Sequence, residues 1–170
     1  MRVRSTVFLV VLVASASGVA AQGLAISTTA TDPALTCSVL DKKLPKSLSS
    51  IRRLGTLRRE KVVGDADYCE HLAQECDIHT LEFHGLKLQL LAHKRTKDAS
   101  ALVATFTTSR WTLLQQVRVG QSVEVLEKHY GVSIPRNISP VTLEGECTPL
   151  TVWHAKGQVT KLMLDCQACI

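Results

Sequence analysis

Val117–Gly131 reads VRVGQSVEVLEKHYG. Gly120 closes a short apolar stretch, and Ser122 has the side chain that accepts from the free amides of a first helical turn. Val123, Leu126 and Tyr130 then recur at the spacing of one helix face, and Gly131 suits the left-handed residue at a helix end. The spacing predicts a helix over 123–130. Downstream, PLTVWHA (149–155) and QVTKLMLD (158–165) alternate with period two around Lys156-Gly157, which predicts a β-hairpin.

The first half repeats this order. Ser47, Leu48, Ile51, Leu54 and Gly55 read as a capped helix, and GLKLQLLAH (85–93) and ASALVATFTT (99–108) read as two strands around the charged turn KRTKD. Leu81-Glu82 matches Leu143-Glu144, and the Leu86/Leu88 pair matches Leu150/Val152. The first half carries extra residues between Gly55 and Leu81, and DYCEHLAQEC (67–76) reads as part of an insertion. The expected architecture is α+β: two helix–hairpin repeats, about 45–110 and 117–166, forming an antiparallel sheet with helices packed on one face, within a disulfide-stapled domain 45–170.

Residues 1–21 have the features of a secretory signal. Arg2 and Arg4 precede the apolar run Thr6–Ala14, and Val19-Ala20-Ala21 fits a cleavage site before Gln22. Residues 22–44 read as a flexible lead-in, with an irregular first strand as the alternative for 22–36. The expected location is periplasmic or secreted, with no lipid anchor, because no cysteine closely follows the cleavage site, and with no membrane span. Formal net charge is +5, and loss of Arg2 and Arg4 with the leader lowers it to +3. That mild balance, with no aromatic interleaving of the basic runs, argues against nucleic acid as a partner.

Export favours disulfides, and six cysteines is an even number. Cys69 with Cys76 would close the insertion. Folding the second hairpin brings Cys147 near Cys166, which leaves Cys37 and Cys169 to join the domain's start to its end. Two rival readings use the same atoms. Cys166-x-x-Cys169 could be a thiol–disulfide centre, but the motif trails a strand and no helix follows to lower a thiol pKa. Cys69, His71, Cys76 and His79 are zinc-ligand types, but in no familiar spacing. The expectation is no metal and no cofactor.

Catalytic motifs are missing as well. There is no Gly-x-Ser-x-Gly, no phosphate loop and no His-Glu-x-x-His, and Asp65 and Asp67 read as loop acids. The chain is therefore expected not to be an enzyme. What remains is a surface. Leu86, Leu88 and Leu90, partnered by Leu102, Ala104 and Phe106, would face the core, so Lys87, Gln89 and His93 point the other way. Trp153 corresponds to Gln89 and would share that face with Thr151. A three-residue turn with a bulge adds Lys161 and Met163, whereas a two-residue turn sets Trp153 beside Leu162 and Leu164. Trp153 is then either a binding residue or a core plug.

GQSVEVLEKHYG followed by GQVTKLMLD resembles the tandem-repeat proteins of the β-lactamase-inhibitor-like group, and the related single-repeat domain of small outer-membrane assembly lipoproteins. The resemblance implies helices on one continuous antiparallel sheet and a non-enzymatic binding role. The expected function is an inhibitor or immunity-like protein that occludes another exported or periplasmic protein with its open sheet face. An envelope-assembly accessory and a thiol–disulfide or metal-handling protein are the alternatives.

Overall fold

A computed structural model describes residues 24–27, 40, 42–64, 75–112, 117–144 and 149–167. The elements are β1 (Leu24–Ser27), α1 (Leu48–Ile51), β2 (Leu57–Gly64), β3 (Cys76–Phe83), β4 (Leu86–His93), β5 (Ala99–Phe106), α2 (Val123–Tyr130), β6 (Val141–Glu144), β7 (Leu150–Ala155) and β8 (Gln158–Asp165). All eight strands form one sheet in the order β1-β6-β7-β8-β5-β4-β3-β2. Only β1 with β6 is parallel; the other neighbours are antiparallel.

This corrects the expected α+β class. Among the described residues α1 and α2 span four and eight residues, too little to form a layer over a sheet of this size, so the fold is sheet-dominated rather than a pair of helix–hairpin repeats. The missed strands explain the error. LRREKVVG shows no alternation because β2 ends the sheet and is exposed along most of its length. With β3 it forms a pair where an insertion was expected. α1 buries Leu48 and Ile51 and ends at Arg52 after one turn, and Leu54 packs against the core from beyond the helix. Part of the expected lead-in is strand β1.

No disulfide joins two described residues. Cys76 and Cys166 are the described cysteines and neither is a free thiol. The pairings read for them involve Cys69 and Cys147, which lie outside the described residues, as do Cys37, Cys169, His71, Asp65 and Asp67.

Each helix begins on a hairpin turn. Ser47 caps α1, accepting from Ser50 N at 3.3 Å, and Leu48 N donates to Lys97 O in the β4–β5 turn at 3.2 Å. Ala99 N returns a bond to Lys46 O at 2.7 Å. Around α2, Ser122 accepts from Glu124 N, Val123 N donates to Gly157 O at 2.9 Å, and Val159 N donates to Gln121 O at 2.9 Å. In both places an amide at a helix start, which has no intrahelical partner, is satisfied by a turn carbonyl. At the other end of α2, Gly131 has φ 64° and closes the helix.

The main core lies on one side of the sheet. Leu81, Leu88, Leu90, Ala104, Leu143, Leu150, Val152, Leu162 and Leu164 meet Ile51 of α1 and Val123, Leu126 and Tyr130 of α2. Two β-bulges decide which side chains join it. Gln89 pairs with Val103 but Leu90 with Ala101, leaving Leu102 unopposed. Leu102, expected in the main core, packs instead with Cys76 and Leu91 in a second small cluster, flanked by Ile78 and Val103. Trp111, read as a packing residue, lies 5.9 Å from the Phe83 ring and donates from Nε1 to His84 O at 2.7 Å.

The β3–β4 turn contains Gly85 at φ 78°, where a Cβ would overlap the Thr108 side chain. Both effects oppose any larger residue. Gly85→Ala is expected to lower stability by about 2 kcal/mol, read as a reduced denaturant midpoint with an unchanged slope.

Candidate functional site

The residues read from sequence as an open face occupy one side of the sheet, opposite the main core. Register fixes their order. Lys87 pairs with Thr105, Thr105 with Met163, Met163 with Thr151, and Thr151 with Thr142, which makes one row across five strands. A second row runs Lys61, Thr80, Gln89, Val103, Asp165. Trp153 pairs with Lys161 one position further along β7. His93 pairs with Cys76 at the far end of β4.

The β7–β8 turn has two residues, Lys156 and Gly157, both at positive φ as a type I′ turn requires. By itself that turn would set Trp153 beside the buried leucines. A bulge intervenes: His154 pairs with Val159 but Trp153 with Lys161, leaving Thr160 unopposed. The slip by one residue turns Lys161 and Met163 to the Trp153 side and returns Leu162 and Leu164 to the core. Trp153 is half-buried and outside the core cluster.

Lys161 Nζ lies 3.9 Å from the Trp153 ring centroid. Such a contact at a partly exposed site contributes about 0.5–1 kcal/mol and holds the ring in place. Thr142 and Thr151 hydroxyls are 3.1 Å apart. Lys87 is exposed and 3.4 Å from Glu82. The face is not uniformly open, since Leu91 and Leu102 are buried at the His93 end. The accessible part centres on Trp153, Lys161, Met163 and Thr151, with Lys87 and Gln89 further along.

Sequence reading missed a second cluster, on the core side of the sheet edge. Arg52 donates to Glu60 through Nε at 3.0 Å and Nη2 at 2.5 Å. His79 lies with Nδ1 2.7 Å from Glu60 Oε1. An ionised carboxylate only accepts, so Nδ1 carries the proton in this contact. The cluster ties β2 to the end of α1 and to β3. Only the alternation of Glu60 with exposed neighbours could have hinted at it, and β2 was not read as a strand.

Hydrogen bonds from Arg52, with a further contribution from His79, hold the Glu60 carboxyl below its ordinary value of 4.5, against partial desolvation. Among the described residues no group of three His, Cys, Asp or Glu side chains could hold a metal ion. No helix in the described residues is long and apolar enough to cross a membrane. No protein family, no curated protein and no solved structure matches the chain.

A lowered folded-state pKa contributes stability that is present above the unfolded value and is lost as pH falls through the folded value. Glu60→Gln should therefore destabilise the protein at pH 7, with the gap to the parent closing as pH falls below the ordinary value of 4.5. Urea midpoints taken across pH 7 to 3 check this; a constant gap would refute it.

Proposed function

We propose that this chain is an exported, non-enzymatic binding protein that occludes another exported protein with the Trp153 side of its sheet. The observation that carries the reading is the half-buried Trp153, kept out of the core by a one-residue bulge and held under Lys161 beside Met163 and Thr151. The bulge leaves Thr160 unpaired and in doing so aligns Lys161 and Met163 with the ring. Aromatic side chains and Met are over-represented where protein surfaces meet. The neighbouring threonines supply short polar contacts around that anchor.

An inhibitor or immunity-like role would use the same surface. It needs occlusion of a partner and no chemistry, which accords with the lack of catalytic motifs in the sequence.

Trp153→Ala should abolish capture of the partner from an exported fraction while lowering stability by no more than about 1 kcal/mol. Lys161→Ala should weaken capture and leave the Tm nearly unchanged. Capture of the same protein in equal yield by the parent, Trp153→Ala and Met163→Ala forms would remove this face from the function.

A further inference from the structure

The sheet has a second place to receive a protein, and it is an edge rather than a face. β2 pairs only with β3 and ends the strand order. Among the described residues no strand lies on its outer side. Of the usual shields the strand carries one, the cationic side chains of Arg58, Arg59 and Lys61, which repel a like-charged strand. The strand holds no proline, and its irregularity lies between Leu57 and Arg59, so the ladder from Glu60 opposite Leu81 to Gly64 opposite Asp77 is regular. Val62 and Val63 are 50% and 45% exposed, two adjacent apolar side chains on an edge strand.

Charge selects the occupant. Residues 52–64 carry Arg52, Arg53, Arg58, Arg59 and Lys61 against the single carboxylate Glu60, which Arg52 and His79 already engage. Arg59 and Lys61 project on one side of the strand with Val63, because they pair with Glu82, Thr80 and Ile78. Val62 projects on the other side, opposite His79. A second copy of this chain would lay one cationic strand on another, and like charges paired across strands are unfavourable. An acidic strand meets no such cost.

We propose that the β2 edge binds an extended, acidic segment of a partner protein by strand addition. Backbone hydrogen bonds along Glu60–Gly64 supply the pairing, acidic side chains opposite Arg59 and Lys61 supply the sign, and apolar ones beside Val62 supply the alternate contacts. The Arg52–Glu60–His79 cluster keeps β2 in place from the core side while its outer edge is engaged. This site does not depend on the Trp153 face.

The test uses the mature full chain and the blocked peptide Thr-Glu-Val-Glu-Val-Glu-Thr. Amide hydrogen exchange within 57–64 should slow about tenfold at a peptide concentration ten times its Kd. Substituting Lys for each Glu, or Pro for the central Glu, should remove the protection. The Arg59→Glu/Lys61→Glu variant should lose protection by the acidic peptide, and Trp153→Ala should keep it. Equal protection by the lysine or proline peptides would overturn the proposal, as would protection confined to other strands or none at millimolar peptide. Loss of protection in Trp153→Ala alone would assign the peptide to the face instead and likewise overturn it.

Discussion

The pairing of β5 with β8 is the constraint on which the rest of the molecule depends. Four residue pairs, from Val103 with Asp165 to Phe106 with Leu162, join the strands of the first half to those of the second. Cys166 N extends the seam by donating to Leu102 O at 2.7 Å. Because of this seam, Leu88 and Ala104 share one buried cluster with Leu150, Leu162 and Leu164, and the two short helices cover a common core. Without it, β5 and β8 would each become a bare edge, and the apolar side of each half would face water.

The two bulges in the interior of the sheet then sort the side chains. A ladder with period two sends alternate residues to opposite sides, and one extra residue reverses everything beyond it. At Leu102 the extra residue moves a leucine to the second cluster, while Ala101 and Ala104 keep their places in the core. At Thr160 it allows Val159, Leu162 and Leu164 all to be buried although their spacing is uneven, and it aligns Lys161 with Trp153. The candidate surface is thus a product of backbone irregularity as much as of composition.

This explains which parts of the fold were legible beforehand. The segments at 86–93, 99–106, 123–130, 150–155 and 158–165 could be read because each buries one side and exposes the other, leaving a period in the residues. β2 left none, since an edge strand bearing Arg58, Arg59, Lys61 and Val63 buries almost nothing. β6 is four residues long, too short for alternation to stand out. The resulting excess weight on helices produced the wrong class. The membership of the surface around Trp153 was legible as two alternatives, but the choice between them was not, because Thr160 carries no mark of being unopposed. The Arg52–Glu60–His79 cluster is held together by tertiary approach, which local spacing does not encode.

The seating of each helix on a turn has a consequence for where this chain can be lengthened or cut. Hairpin turns are ordinarily permissive sites, since they lie outside the ladder and carry no distant partner. Here the Lys97 and Gly157 carbonyls are acceptors for the first amides of α1 and α2, and Lys46 and Gln121 reciprocate from the other side. An inserted residue or a proteolytic nick at either turn would release a helix start together with a hairpin end. The lengths of these two surface turns are therefore bound to the interior as tightly as the buried leucines are.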